Sequence, residues 1–298
     1  MLRRWRGKSD GANERGRAAL SAGRLDEAER AFREALAHDP ANAHAWNNLA
    51  ITCKWLRRWP EAREAAERAL ALRPDDVGSA WNLGIAATAL GDWAAARRGW
   101  RAAGVEGLPD GDGPVELKLG ATPIRVSVDD NPEVVWCSRI DPARAVIASV
   151  PTASSSRRFG DLLLHDGERV GTRMLGGIEV PVFNELEVIE PSRYSTYAVD
   201  VEAPAQGDVD TLERALEERG LAGEDWTRSV RLLCKECSEG RPHDHGAHAD
   251  EGPWNASRRI GVAAQEETAA RQVLEAWASA APGRSFGTIA LELPATDA

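Results

Sequence analysis

Self-similarity at a spacing of 34 residues constrains this chain more than any other feature. Small residues recur as Gly16, Ala50 and Gly84. Alanines recur as Ala28, Ala62 and Ala96, and again as Ala35, Ala69 and Ala103. Pro40 and Pro74 close the first two units, and Pro109 falls one residue late for the third. Phe32, Trp46, Leu49, Leu83 and Trp100 lie between these positions. Each unit reads as two helices joined at Gly23-Arg24, Arg57-Arg58 or Gly91-Asp92. Small residues let helix backbones approach, and large ones fill the gaps between them. A unit this short cannot bury its own apolar face, so neighbouring units must stack into a solenoid.

The pattern resembles the tetratricopeptide repeat family over residues 9–104. That resemblance implies a helical domain of three repeats over residues 1–106, with the first helix of each repeat lining a concave groove that binds a peptide or partner protein. Helical spacing places Asp10, Asn13, Arg17, His44, Asn47, Ile51, Lys54, Trp81, Ile85 and Thr88 toward the groove, flanked by Asn48 and Asn82. The partner-binding candidates are Asn13, Arg17, His44, Asn47, Asn48, Lys54, Trp81 and Asn82. Asn amides can pair with an extended peptide backbone, and Arg17 and Lys54 can hold a carboxylate. The competing reading is a solvated polar face. The heat-shock co-chaperone subset of the family grips a C-terminal carboxylate with five residues. The matching positions here hold Asn13, Arg17, Asn48, Gly78 and Asn82, and only Asn48 keeps the usual residue, so a clamp of that type is not expected. Arg15 stands where the family has a large apolar residue, which suits a solvent-facing end.

After the repeats the texture changes. Residues 104–113 hold four glycines and a proline, a linker composition. Beyond it, alternation predicts strands at 115–119, 124–128, 133–137 and 145–150. Asp166-Gly167 and Gly176-Gly177 predict two tight hairpins. The expectation for residues 114–190 is a small β-barrel or sandwich. Within it, residues 152–158 (Thr-Ala-Ser-Ser-Ser-Arg-Arg) read as a phosphate loop or a mobile hairpin loop. His165-Asp166 reads as half of an acid–base pair or a turn, and Cys137 as a core residue. Residues 193–294 read strand–helix–strand–strand–helix–strand, with the middle strands at 229–234 and 259–264. That order predicts a ferredoxin-like α+β domain.

Between those middle strands lies the chain's sharpest chemical pattern. Cys234 and Cys237 have the spacing of a metal knuckle, and His243, His245 and His248 follow closely. Two thiolates and two imidazoles complete the tetrahedral shell that zinc prefers. The expectation is a structural zinc hairpin. A redox pair and a plain polar loop are the alternatives.

Charge and composition narrow the function. The net charge is −10, with +3 carried by residues 1–110 and −13 by the rest. An acidic chain of this kind is a poor general binder of nucleic acid. No stretch approaches the ~20 apolar residues of a membrane span. The N-terminus lacks a signal-peptide apolar segment, and four cysteines are too few for a disulfide scaffold, so a cytoplasmic location is expected. Only four of 37 basic residues are Lys, an Arg and Ala bias that suggests a GC-rich bacterial genome. No P-loop, dinucleotide fingerprint or nucleophile elbow is present, and no catalytic residue is assigned. The expected function is a scaffold or adaptor that binds protein through the repeats. The alternative is a metal-dependent enzyme, or a metal- or ligand-sensing regulator, that uses the Cys/His hairpin while the repeats recruit a partner.

Overall fold

A computed structural model describes residues 2–128, 130–228 and 253–296. The described residues fall into two compact units. One runs to Leu119 and includes Ile140–Ala143; the other holds Gly120–Arg139 and what is described from Arg144 onward.

Six helices build the first unit: α1 (Leu2–Ser21), α2 (Leu25–His38), α3 (Ala43–Trp55), α4 (Trp59–Leu72), α5 (Val77–Ala89) and α6 (Trp93–Ala102). Side chains start two of them. Asn42 Oδ1 accepts the Ala45 N–H, and Asp92 Oδ1 accepts the Ala95 N–H, each at 3.0 Å. Each helical pair turns through a residue of positive φ at the same repeat position: Gly23 (71°), Arg57 (56°) and Gly91 (67°). Glycine suits that conformation, and Arg57 takes it against its Cβ.

Packing within a repeat follows a small-against-large rule. A Cβ on Gly16 would lie 2.5 Å from the Phe32 ring, and one on Gly84 would lie 2.4 Å from the Trp100 ring. Phe32 and Trp100 are fully buried as a result. The equivalent pair in the second repeat is Ala50 and Ala66, both buried. Polar contacts between repeats recur in the same way. Arg58 holds Glu29 at 2.7 Å, and one period later Arg63 holds Asp92 at 2.9 Å, with the signs exchanged.

Residues 115–119, expected as a strand, are irregular and belong to this first unit. The N–H groups of Leu117 and Lys118 share the Ile140 carbonyl (2.8 and 3.1 Å). Positive φ at Lys118 (51°) and Gly120 (86°) breaks the extension.

The second unit begins with five strands: β1 (Gly120–Val126), β2 (Glu133–Arg139), β3 (Arg144–Ile147), β4 (Leu162–Leu175) and β5 (Ile178–Glu190). Consecutive strands pair antiparallel, and β5 returns to pair with β1 in parallel, so the pairing forms a closed ring. Ile124, Val126, Val135, Cys137, Ala145, Ile147 and Leu163 fill its core. The turn at Gly176-Gly177 has positive φ at both residues (55° and 83°), as a two-residue hairpin requires. Asp166-Gly167 is not a turn. It sits inside β4 as a bulge, where the pairing register shifts between His165 and Arg169.

A second sheet follows, from β6 (Ser195–Glu202), β7 (Ala222–Asp225), β8 (Ser257–Ala264) and β9 (Ser285–Leu293), in the order β7-β8-β6-β9. Its described pairings are antiparallel. Helices α7 (Gln206–Glu217) and α8 (Glu267–Ser279) pack on one face through Leu212, Leu216, Leu274 and Trp277. The other face buries Trp226, Ala198 and Ala263 with Val150. Trp226 Nε1 donates to the Val150 carbonyl at 2.9 Å, and the Val150 N–H donates to Glu224 at 2.8 Å. The strand expected at 229–234 lies outside the described residues.

Candidate functional site

Helices α1 and α3 place the predicted groove residues side by side. Residues on a helix recur on one face every three to four positions, so Asp10, Asn13, Glu14 and Arg17 of α1 face Asn48 and His44 of α3. With Asn42 they line a cleft of about 500 Å³.

An amide ladder runs through this face. Asn48 Nδ2 donates to Asn13 Oδ1 at 3.0 Å, and Asn82 Nδ2 donates to Asn47 Oδ1 at 3.0 Å. These are the same repeat-to-repeat contact displaced by one period. Ser79 Oγ also donates to Asn47 Oδ1 (3.1 Å), and Asn42 Nδ2 donates to Ser9 Oγ (3.0 Å). Asn13 is only 9% exposed. An Asn has one acceptor and two donor hydrogens, so Asn13 and Asn48 each retain hydrogen-bonding capacity in the cleft after bonding one another.

The electrostatics differ from a carboxylate clamp. Arg17 Nη1 is held by Glu14 at 3.0 Å. Lys54, expected on the groove surface, is only 5% exposed, with Nζ 6.0 Å from the Trp55 ring centroid. A helical wheel assigns that side of α3 to the groove, but neighbouring helices bury it. Ile85 and Thr88 are likewise buried. His44 is exposed beside Arg73 (3.3 Å). Trp81 is partly buried and edges onto Trp100 at 5.0 Å. The cleft therefore joins Asn13, Arg17, His44 and Asn48. Asn47 and Asn82 continue the ladder beyond it. Asp10 lines the cleft as helical spacing predicts, and sequence reasoning missed Glu14. The signal was its i, i+3 spacing to Arg17 and i, i+4 spacing from Asp10 on one face.

The other chemical candidates resolve differently. In the 152–158 loop, Glu133 accepts the Thr152 N–H (3.1 Å) and hydroxyl (3.0 Å), while Arg157 Nε donates to Glu185 at 2.9 Å. Arg158 Nε donates to the Pro294 carbonyl (2.8 Å). Both guanidinium groups are thus occupied by protein, and the loop is pinned from both sides. Burial pushes the Glu133 and Asp161 carboxyls up. His165 is fully buried and stacks on Phe183 (5.2 Å), with Nδ1 on the Asp166 carbonyl (2.8 Å). Burial, aided by the Arg139 charge, lowers its pKa to about 4. A neutral, buried imidazole of this kind is a core residue. Cys137 is buried in the strand core as expected, and burial pushes its thiol up. Burial and Glu29 push the Cys53 thiol up to about 11.

Cys234, Cys237, His243, His245 and His248 lie outside the described residues. Among the described residues, no group of three or more His, Cys, Asp or Glu is placed to hold a metal ion. No described helix is long and apolar enough to cross a membrane.

Two tetratricopeptide repeat models match the chain, over residues 19–83 and 56–112. The Hsp70-Hsp90 organizing protein of Triticum aestivum is 38% identical over 88 residues, which is 30% of this chain and 15% of that protein. The chain thus spans less than a fifth of that relative's length. Among solved structures, the Arabidopsis OM64 TPR domain is 23% identical over 34% of this chain and 85% of that one, with a TM-score of 0.33. The TPR2B domain of yeast Sti1 in complex with an Hsp70 peptide is 24% identical, over 32% and 77%, with a TM-score of 0.31.

Proposed function

We propose that this chain, whose residues 19–112 are tetratricopeptide repeats, is an adaptor that holds an extended segment of a partner protein in the α1–α3 cleft. The observation that carries the reading is the Asn13–Asn48 pair, whose remaining amide capacity lines an open cleft. Extended backbone presents alternating N–H and C=O groups, and Asn answers either. The wheat relative's name places it with Hsp70 and Hsp90, but a C-terminal carboxylate is not the proposed ligand here. The clamp positions hold Asn13, Arg17, Asn48, Gly78 and Asn82, Arg17 is already answered by Glu14, and Asp10 adds a second carboxylate to the cleft.

The test uses Asn13→Ala with Asn48→Ala. Mass spectrometry identifies the proteins that co-purify with the full chain, and their affinity for the double variant is measured. Loss of roughly tenfold or more, about 1.4 kcal/mol, is expected, with the helical signal and melting of the repeats kept. Unchanged affinity for every captured partner removes the cleft as the binding surface.

The second unit is read as a small β-barrel over the ring of strands and a ferredoxin-like domain over residues 195–293. The element order and the sheet order β7-β8-β6-β9 support this. Neither arrangement implies an activity. A structural zinc on Cys234, Cys237 and two of His243, His245 and His248 belongs to the same proposal, supported by ligand type and spacing in the sequence. One equivalent of zinc by elemental analysis of untagged protein is expected. Its uptake should release protons and weaken as pH falls through ~6.5. Two freely titratable thiols, with no stabilisation by added zinc, would leave these residues a polar loop. The cytoplasm is the proposed location.

A further inference from the structure

The second unit holds a cavity of its own, about 520 Å³, on the sheet face opposite α7 and α8. Ile260, Val262 and Ala264 of β8 turn toward the helices, so Arg259, which lines the cavity, stands on the other face with Gly261 and Ala263. One wall is the Trp226 indole. Its Nε1 donates to the Val150 carbonyl at 2.9 Å, and its ring lies against Gly261, where a Cβ would strike it. The ring is thus fixed in place by the protein itself. Ala153 also lines the cavity. The turn that carries it is held by Glu133, which accepts the Thr152 N–H at 3.1 Å and the Thr152 hydroxyl at 3.0 Å. Small-molecule sites of about 300–1,000 Å³ combine such preformed apolar walls with a few placed polar groups.

The polar groups set what the cavity can take. Thr152 has one hydroxyl hydrogen and gives it to Glu133, so Ser154 donates in the 2.8 Å contact between the two hydroxyls. Ser154 Oγ therefore meets the cavity as an acceptor. Glu292 accepts from Arg259 Nη2 at 2.8 Å, and its carboxylate keeps further lone pairs. Arg259 is the only cation among the described lining residues. Two carboxylates already answer it, Glu292 and, at 3.4 Å, Asp200. One guanidinium against two carboxylates leaves an excess of negative charge, which opposes an anionic ligand. We propose that this cavity binds a small organic cation, an ammonium group carried on an aromatic or hydrocarbon body. An ammonium offers three donors and no acceptor, which suits Ser154 Oγ and the Glu292 carboxylate. Its body lies against Trp226 and Ala153, and an indole also attracts a cation through its ring electrons. The site shares no residue with the α1–α3 cleft.

The experiment uses the full chain and three probes that share one ring and differ in charge: phenethylammonium, phenethyl alcohol and hydrocinnamate. Isothermal titration calorimetry should show phenethylammonium binding with a dissociation constant below about 1 mM. The alcohol should bind roughly tenfold more weakly, and hydrocinnamate should give no measurable binding. Glu292→Gln keeps the shape of the side chain and removes its charge. It should weaken phenethylammonium roughly tenfold or more while leaving the alcohol unchanged. Ala153→Phe fills the cavity and should weaken both. Each variant should keep the wild-type melting temperature. A chain that binds no phenethylammonium at millimolar concentration overturns the proposal. So does hydrocinnamate binding as tightly as phenethylammonium, which would remove the charge argument. A phenethylammonium affinity that Glu292→Gln leaves unchanged also overturns it, because the cation then sits elsewhere.

Discussion

Several contacts between repeats of the first unit occur more than once, whereas the buried ion pair at Arg258 of the second belongs to one place in the fold. Glu29–Arg58 and Arg63–Asp92 occupy one inter-repeat position with the charges exchanged, and Asn13–Asn48 and Asn47–Asn82 occupy another. Gly16–Phe32 and Gly84–Trp100 repeat a third. In the second unit, Arg258 reaches Asp225 with 8% and 6% of their side chains exposed. A contact used in several copies must work between neighbours that are themselves interchangeable, so it tolerates exchange. A single buried pair has no such tolerance, because its desolvation is met by one partner only.

Arg258→Ala should therefore have the largest effect. It leaves Asp225 buried without its guanidinium, and Arg258 also loses its contact with the Trp254 ring at 4.5 Å. A loss of about 3–5 kcal/mol is expected for the second unit. Arg258→Met with Asp225→Leu should cost much less than the single change. Arg63→Ala in the repeats, at a pair whose side chains are 37% and 34% exposed, should cost under about 1 kcal/mol. The double exchange Arg63→Glu, Asp92→Arg should restore the ion pair yet cost about 1 kcal/mol, because Asp92 also caps α6. Chemical denaturation, with hydrogen exchange assigning each transition to its unit, measures all four. Comparable losses at Arg258 and Arg63 would remove the distinction between the units.

The next effect is pH-dependent. His165 has a folded-state pKa near 4, below its ordinary 6.5. Between those values the unfolded chain binds more protons than the folded one, so stability is full above pH ~6.5 and falls as pH drops toward 4. The shift corresponds to up to about 3 kcal/mol. Glu224 acts in the opposite sense. Burial raises its pKa to about 7, so its contribution falls as pH rises from 4.5 to 7. Each side chain is isolated by comparing wild type with His165→Gln or Glu224→Gln across pH 4–8. Wild type should lose stability on acidification relative to His165→Gln, and on alkalinisation relative to Glu224→Gln. Parallel profiles would mean that neither group is held as the structure describes.

The same contrast explains what could be read from the sequence. The repeats announced themselves because each constraint left several matching residues, down to the turn positions 23, 57 and 91. The ion pairs between them were legible too, at a spacing of 29 residues, but only once the period had been set against charge. Lys54 was misplaced because a single-helix projection cannot count the helices packed beside α3. In the second unit the signals are solitary. Asp166-Gly167 has the composition of a turn, yet the strand continues because β5 pairs on both sides of the bulge. β7 is Ala-Gly-Glu-Asp, without a β-branched or aromatic residue. It is a strand because Ala222 through Asp225 pair with Ala263 through Ile260 of β8, with Gly261 leaving room for the Trp226 indole. Such strands are set by tertiary contact rather than propensity.

The smallest effect tests the interchangeability of repeats directly. Arg57 occupies with φ 56° the position that Gly23 and Gly91 occupy in the other two turns. A Cβ in left-handed conformation costs about 1–2 kcal/mol. Glycine removes that cost, but the unfolded chain then gains backbone freedom worth roughly 0.5–1 kcal/mol. Arg57→Gly should thus stabilise the repeats by about 0.5 kcal/mol, whereas Gly23→Ala and Gly91→Ala should each destabilise them by about 1 kcal/mol. The Gly23 and Gly91 sites are open, with no atom within 4 Å of an added Cβ, so any loss there reports backbone strain and not a clash. If Arg57→Gly destabilises the repeats while Gly23→Ala is neutral, the three turns are not the same structure, and the second repeat is held by something its neighbours lack.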